Sequence, residues 1–260
     1  MNHWDVIAAR LRLTEGIFLA LDYDGVLSPI AIRPELARMP ARNRELLDAL
    51  SNHPRVRVAV VSGRALADVR ERVGVSAIFY AGNHGAEIDL KGDTERHIPL
   101  ERFRAALLQA RKELHDLIEE FPGLRLEDKG FGIALHYREV GDTQLPALHA
   151  RFAVWAKSLP ADLHVTTAKM LYEIRPNMGW NKGNAVLRIW QSIAPRWLPF
   201  CLGDDKTDED GFVALKGRGI NIFVGTTTAD SAADFSLDST DQVTEFLERL
   251  LKTVTETLTI

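Results

Sequence analysis

The sequence predicts an α/β protein with a parallel sheet covered by helices on both faces, interrupted by a smaller α+β layer. Short continuous apolar runs alternate with helical segments in the first part of the chain and again near its end. The middle instead combines an amphipathic helix with alternating strand patterns. We therefore expect a core domain formed by residues 1–97 and 176–260, with a cap domain at 98–175.

The first part of the chain contains three strand-like runs. Residues 17–21, IFLAL, are continuously apolar, which is typical of a strand buried on both faces. Residues 56–64 and 77–88 repeat this pattern, and the third run opens into a glycine turn. Helices are predicted between them over 40–54 and 65–74, and the second should end at Gly74.

The middle and the end of the chain complete the pattern. The predicted cap elements are an amphipathic helix at 101–123, two strands within 124–139, a helix at 144–160 and further strands within 163–176. The core elements that follow are a helix at 182–193, buried strands at 197–203 and 219–225, and a closing amphipathic helix at 238–254. Ser239 or Thr240 is expected to cap that last helix.

Composition excludes several classes of protein. The 260 residues carry a net charge of −4, which provides no general attraction to nucleic acid or to an anionic membrane. The single cysteine, Cys201, excludes an internal disulfide framework, and its apolar surroundings predict a buried structural thiol. The chain shows neither a signal pattern nor an apolar run near the roughly 20 residues that span a bilayer. We expect a cytoplasmic, monomeric protein.

Polar side chains follow the predicted strands at the edge where parallel sheets bind ligands. The helix at 182–193 adds a cation near backbone N–H groups that favour anions. The candidate residues are Asp22, Asp24, Ser62, Arg64, Asn83, His84, Lys182, Asp204, Asp205 and Asp208. Neighbouring carboxylates repel unless a positive group lies between them. An oxygen-rich site of this kind suits Mg²⁺, although Mn²⁺ accepts the same ligands.

These residue types suit the hydrolysis of a phosphate monoester. Asp22 could attack phosphorus, while Asp24 protonates the departing oxygen and then activates water. Ser62 and Lys182 could hold the phosphoryl oxygens, with Mg²⁺ neutralising their charge. Gly25 would allow a tight turn beside the phosphate.

Each motif taken alone also has an ordinary structural interpretation. DYDG could be a simple turn, VSGR a helix cap, and GDDKTDED a solvated acidic loop. Their occurrence together after successive buried strands favours a functional site. Other chemistries are excluded by spacing: a calcium loop beginning at Asp22 would place Arg33 at the glutamate position, and no phosphate-binding P-loop or zinc-binding H-E-x-x-H motif is present.

The sequence resembles the haloacid dehalogenase superfamily and, within it, the trehalose-6-phosphate phosphatases. The segments that carry the resemblance are LDYDGVLSPI, VVSGR, NKG and GDDKTDED, together with NHGAE, EDKGFGIALHYR and KMLYEIRP. One departure is Val26, where these phosphatases commonly have threonine. The resemblance implies a Rossmann-like core with a C2-type cap and Mg²⁺-dependent hydrolysis of trehalose 6-phosphate through an aspartyl-phosphate.

The resemblance also implies roles for individual core residues. Asp22 would be the nucleophile and a metal ligand, and Asp24 the acid and base that also binds metal through its carbonyl. Asp204 would be the third metal ligand. Either Asp205 or Asp208 would orient Lys182, which would contact phosphate together with Ser62.

Contacts to the sugar are expected mainly from the cap, at Glu127, Lys129, Arg138, Lys169 and Glu173. Without the resemblance, these residues would be interpreted as solvated charged side chains on the faces of strands. From the core, Asn83 and His84 would touch the substrate, although His84 could equally be a turn residue. Arg64 would serve the site entrance or a contact between core and cap. Two alternatives stay open: a phosphatase for another sugar phosphate, such as sucrose phosphate, and a non-catalytic regulatory module that binds trehalose phosphate.

Overall fold

The computed structural model divides the chain into two compact units. It describes residues 3–97, 100–129, 132–168, 170–177, 179–226 and 230–257. The first unit comprises Met1–Arg96 and Trp180–Ile260, and the second comprises His97–Gly179. The second unit ends at Gly179, whereas the cap was predicted to end at residue 175; the last strand of the insertion, Leu171–Pro176, pairs with strands of the second unit.

The first unit is built on an eight-stranded sheet in the order β12-β11-β10-β1-β2-β3-β4-β5. Its strands are β1 (Ile17–Leu21), β2 (Val56–Val61), β3 (Phe79–Gly82), β4 (Glu87–Asp89), β5 (Thr94–Arg96), β10 (Leu198–Gly203), β11 (Ile220–Val224) and β12 (Phe235–Leu237). Strands β12 to β3 are parallel, whereas β4 and β5 extend the sheet antiparallel at one edge.

Helices cover both faces of this sheet, as the apolar runs predict. They are α1 (His3–Leu11), α2 (Ala41–Asn52), α3 (Leu66–Val73), α6 (Lys182–Ile193), α7 (Glu209–Leu215) and α8 (Thr240–Thr257). Apolar residues of α1, α2, α3 and α8 pack on one face, and those of α6 and α7 on the other. Every residue of β1 is consequently buried.

Strand register aligns the carboxyl ends of the central strands. Leu21, the last residue of β1, lies opposite Leu202 of β10 on one side and Val60 of β2 on the other. Asp22 therefore leaves the sheet beside Gly203 and Val61. This alignment places the residues that follow all three strands along one edge.

The first unit contains elements that the sequence analysis did not predict. The run 77–88 is divided into β3 and β4 by a turn at Asn83–Gly85, where both Asn83 and His84 have positive φ values of 51° and 55°. Helices α1 and α7 and the three-residue strands β5 and β12 were also missed. Ser239 caps α8, since its Oγ accepts a hydrogen bond from the Gln242 N–H at 3.4 Å.

The second unit is an antiparallel sheet with two helices. The sheet has the order β6-β7-β9-β8, with β6 (Arg125–Asp128), β7 (Ile133–His136), β8 (Leu163–Ala168) and β9 (Leu171–Pro176). The helices are α4 (Leu100–Glu120) and α5 (Leu145–Ala156). The predicted apolar face of α4 is buried from Phe103 to Leu117. Among the helices described, none combines the length and apolar character required to cross a bilayer.

Candidate active site

The centre of the candidate site is a buried ion-pair network around Lys182. Lys182 begins α6, because Asn181 caps that helix by accepting a hydrogen bond from the Asn184 N–H at 3.0 Å. The Lys182 Nζ lies 3.2 Å from Asp22 Oδ2 and 2.8 Å from Asp208 Oδ1. All three of these charged side chains are buried.

Negative charge exceeds positive charge in this network. Burial raises the pKa of Asp22 well above its usual value; Lys182 opposes this effect, and the aspartates at 208, 204 and 205 add to it. Burial alone would lower the pKa of Lys182, but Asp208 and Asp22 outweigh it and raise that pKa. One ammonium therefore compensates only part of the surrounding carboxylate charge.

Of the two aspartates proposed to orient Lys182, Asp208 is the one that accepts a hydrogen bond from it. Its Oδ1 accepts the hydrogen bond from Lys182, and its Oδ2 accepts the backbone N–H groups of Asp204 and Asp205 at 3.1 and 3.2 Å. Asp205 instead forms hydrogen bonds within its own loop. Its Oδ1 accepts from the Thr207 backbone N–H and from the Thr207 hydroxyl, each at 2.7 Å.

The turn after β1 lies directly against Asp204. Gly25 has a φ of +82°, and a Cβ placed on it would lie 2.0 Å from Asp204 Oδ2. Only a glycine combines this backbone conformation with so close an approach. The geometry thus gives Gly25 a packing role beside a candidate metal ligand.

The acidic groups fit a divalent cation. Asp22, Asp204 and Asp208 each offer a carboxylate oxygen within 4.8 Å of the others. Asp22 Oδ1 is buried and has no hydrogen-bond partner among the described residues. Hard oxygen donors of this kind suit Mg²⁺. Since both oxygens of Asp208 already accept hydrogen bonds, Asp22 and Asp204 are the better candidate ligands.

Asp24, the predicted acid and base, is held by Arg64 in a bidentate ion pair. Arg64 Nε and Nη2 donate to Asp24 Oδ2 and Oδ1 at 2.6 and 2.7 Å. Arg64 also donates to Asp68 and to the Pro34 carbonyl, and its side chain is 9% exposed. All of these contacts lie within the first unit, and a role of Arg64 at the site entrance or between core and cap stays a prediction.

Ser62, Asn83 and His84 lie at the ends of β2 and β3. Ser62 is buried, and its Oγ accepts the Arg64 N–H at 3.2 Å. The His84 ring covers Gly63, because a Cβ on Gly63 would lie 2.8 Å from His84 Nε2. Asn83 donates to Glu87 at 3.1 Å. The left-handed conformations at 83 and 84 are uncommon outside glycine and place both side chains at this edge.

The second unit gathers most of the predicted sugar contacts on one sheet face. Glu127 and Glu173 both pair across from Ala134, so their side chains project to the same side. Lys129 Nζ lies 2.8 Å from Glu173 Oε1. Arg138 follows β7 and is half-buried, and Lys169 lies outside the described residues.

Other polar side chains on this face were missed, among them two that lie beside its glutamates. His136 Nε2 lies 2.8 Å from Glu127 Oε2, and Arg175 Nε lies 3.8 Å from Glu173 Oε2. Side chains two residues apart in a strand point to the same face, so His136 follows from Ala134 and Arg175 follows from Glu173.

The sequence matches the profile of the trehalose-phosphatase family over residues 20–241. The chain belongs to this family. The match includes the end of β1, the start of α6 and the acidic loop after β10, and it confirms the predicted family and the predicted class of enzyme, a phosphatase.

Curated members of the trehalose-phosphatase family resemble most of the chain. Trehalose-phosphate phosphatase B of Arabidopsis thaliana is 35% identical over 273 residues, covering 97% of this chain and 70% of that protein. The trehalose-phosphate phosphatase of Mycobacterium tuberculosis strain H37Rv is 38% identical over 246 residues, covering 90% of this chain. This chain spans 61% of the mycobacterial relative's length.

Solved structures confirm the fold class. The C-terminal domain of the C. albicans trehalose-6-phosphate phosphatase superposes with a TM-score of 0.84 at 23% identity, covering 96% of this chain and 97% of that one. A haloacid dehalogenase-like hydrolase from Bacteroides thetaiotaomicron gives a TM-score of 0.61 at 16% identity, covering 90% and 99%. The family member described here thus has the α/β fold of haloacid dehalogenase-like hydrolases.

Proposed function

We propose that this protein hydrolyses trehalose 6-phosphate to trehalose and phosphate through a covalent intermediate on Asp22. The proposal rests on the environment of the Asp22 carboxylate in a member of the trehalose-phosphatase family. It is buried at the end of the central strand, with Oδ2 beside Lys182 and Oδ1 without a hydrogen-bond partner among the described residues. A desolvated carboxylate of this kind is suited to nucleophilic attack.

In the first step, an Asp22 oxygen forms a bond to phosphorus while the bond from phosphorus to the sugar oxygen breaks. Asp24 gives a proton to that oxygen, so the sugar leaves as a neutral alcohol. Lys182 and Ser62 bind phosphoryl oxygens, and Asp208 keeps the ammonium in place.

In the second step, water attacks the phosphorus of the aspartyl-phosphate. Asp24 takes a proton from that water, and the bond between phosphorus and the Asp22 oxygen breaks. The carboxylate of Asp22 is thereby restored and inorganic phosphate is released.

Mg²⁺ is the cofactor that we propose, held by Asp22, Asp204 and the carbonyl of Asp24. When bound, it would neutralise the phosphoryl oxygens and part of the excess carboxylate charge. Chelation with EDTA should abolish phosphate release, and added Mg²⁺ or Mn²⁺ should restore it. Activity that persists after exhaustive chelation would contradict this part of the proposal.

We assign recognition of the sugar to the charged face of the second unit. Glu127, Lys129 and Glu173 present donors and acceptors on one side of its sheet, and Arg138 and Lys169 are proposed to extend this set. Charged groups of both signs can bind neighbouring hydroxyls of a sugar ring bidentately. Such a site discriminates strongly against a substrate that lacks a matching hydroxyl.

The test is a panel of phosphate esters assayed by phosphate release. Trehalose 6-phosphate should exceed sucrose phosphate and glucose 6-phosphate in kcat/KM by at least about tenfold, equal to about 1.4 kcal/mol of transition-state binding. A preference for another sugar would favour the second predicted substrate class. Tight binding of trehalose 6-phosphate without turnover would favour a regulatory module.

Asp22→Asn tests the nucleophile in the same assay, with Asp89→Asn as its matched control. Both aspartates are buried next to a basic side chain, but Asp89 pairs with Arg70 at the sheet edge. Asp22→Asn should remove turnover and Asp89→Asn should retain it. A cytoplasmic location and a monomeric state stay predictions.

A further inference from the structure

Arg64 occupies a position that the proposed mechanism does not yet use. Its three side-chain nitrogens all donate within the first unit: Nε and Nη2 to Asp24, Nη1 to Asp68 at 2.9 Å, and Nη2 also to Pro34 O at 2.8 Å. The guanidinium carbon lies 5.2 Å from the centre of the Tyr23 ring. The group is therefore fixed from several directions.

The partners that hold Arg64 are themselves anchored. Asp68, one turn along in α3, also accepts a hydrogen bond from Arg72 Nε at 2.7 Å. Arg72 Nη1 in turn donates to Ala37 O at 3.0 Å. The two arginines thus share one carboxylate, but only Arg64 reaches Asp24.

The effect on Asp24 is to fix both of its oxygens. A planar guanidinium that donates to both oxygens sets the rotation of a carboxylate as well as its position. The Asp24 side chain is 40% exposed and would otherwise exchange freely among rotamers. A general acid must lie within hydrogen-bond reach of the oxygen that it protonates.

We propose that Arg64 is the positioning residue for Asp24, and that it holds the carboxylate where it can exchange protons with the leaving oxygen and then with water. This inference rests on the proposed function of the site. It replaces the predicted substrate contact of Arg64 with an action through Asp24.

The experiment compares Arg64→Met with Arg72→Met, which keeps the Asp24 ion pair while disturbing the same network. On trehalose 6-phosphate, Arg64→Met should lower kcat by about 100-fold, the loss typical of a displaced catalytic group, with little change in KM. Arg72→Met should stay within about threefold of the wild-type kcat, because Arg72 bonds Asp68 and leaves both Arg64 contacts to Asp24 in place.

A second substrate separates positioning from general damage. The phenolate of p-nitrophenyl phosphate leaves without being protonated, so formation of the aspartyl-phosphate does not require Asp24, whereas its hydrolysis does. Arg64→Met should therefore release nitrophenolate in a burst equal to the enzyme concentration, followed by a slow steady state. Introducing Arg64→Met into the Asp24→Asn variant should cause no further loss of kcat, because the two changes remove the same function.

Arg64→Lys provides a second variant that keeps the positive charge but not the two-pronged contact. It should also lose most of kcat, so a folded Arg64→Lys enzyme with wild-type kcat would overturn the inference. Equal losses in the Arg64 and Arg72 variants, without a burst, would overturn it as well. If wild type hydrolyses p-nitrophenyl phosphate but no sugar phosphate, only the substrate assignment fails, and the burst still decides the role of Arg64. If wild type hydrolyses neither, both proposals fall.

Discussion

Replacing Gly25 with alanine should weaken metal binding in addition to destabilising the fold. The added Cβ would lie 2.0 Å from Asp204 Oδ2 and 2.2 Å from its Cγ, so the Asp204 carboxylate has to move. The backbone also has a φ of +82°, which costs an L-residue about 1–2 kcal/mol. The first effect acts on a proposed Mg²⁺ ligand, and the second acts on stability alone.

Gly217→Ala is the matched control for this prediction. Gly217 has a φ of +73°, but a Cβ there would meet no atom within 4 Å. Both variants should lose about 1–2 kcal/mol in urea unfolding of the metal-free protein. Only Gly25→Ala should raise the Mg²⁺ concentration for half-maximal phosphate release, by at least about tenfold, which corresponds to about 1.4 kcal/mol.

The decisive measurement is a Mg²⁺ titration of phosphate release for wild type and both variants. A Gly25→Ala enzyme with the wild-type Mg²⁺ dependence would show that Asp204 does not bind the cation from this position. An equal shift in Gly217→Ala would attribute the effect to general destabilisation.

Three further changes should have distinct outcomes. Asp208→Ala should reduce the free energy of unfolding by about 3–5 kcal/mol, because it removes the acceptor of three hydrogen bonds, from Lys182 and from the backbone N–H groups of Asp204 and Asp205; a loss below about 1 kcal/mol in urea unfolding would refute this. Burial raises the pKa of Tyr80 from 10.0 to about 12. The contribution of this group to the free energy of unfolding should therefore be fully present below pH 10 and be lost as the pH rises towards 12. Tyr80→Phe should flatten that decline. Lys129→Met should raise KM for trehalose 6-phosphate at least about tenfold, since it removes a charged hydrogen-bond donor beside Glu173, while turnover of p-nitrophenyl phosphate stays unchanged.

The sequence alone was sufficient to predict the strands and helices that have strong apolar patterns. β1 is a continuous apolar run, β2 and β11 are apolar apart from Arg57 and Asn221, β10 is almost entirely apolar, and α4 has a regular buried face. The family match and the solved structures confirm the fold class that these patterns predict. Short elements such as the three-residue β5 and β12 carry too few residues for any periodicity to emerge.

Contacts between distant residues were harder to predict. Nothing in the spacing of Asp205 and Asp208 indicates which carboxylate faces Lys182, because that depends on the turn leading into α7. The ion pair of Asp24 with Arg64 joins residues 40 positions apart and depends on the alignment of β1 with β2. His136 could have been found by extending the alternation of β7 one step further.

The insertion between β5 and α6 has a consequence for how the protein is synthesised. Asp22 is synthesised before the second unit, but β10, which flanks β1 on one side, follows only after the whole second unit has been made. That second unit pairs its strands among themselves and can fold as soon as it emerges. Until β10 has been made, the apolar strand β1 has one unpaired edge. Chaperones protect surfaces of this kind from aggregation. The candidate site around Asp22 is therefore incomplete until β10 and the acidic loop after it have been made.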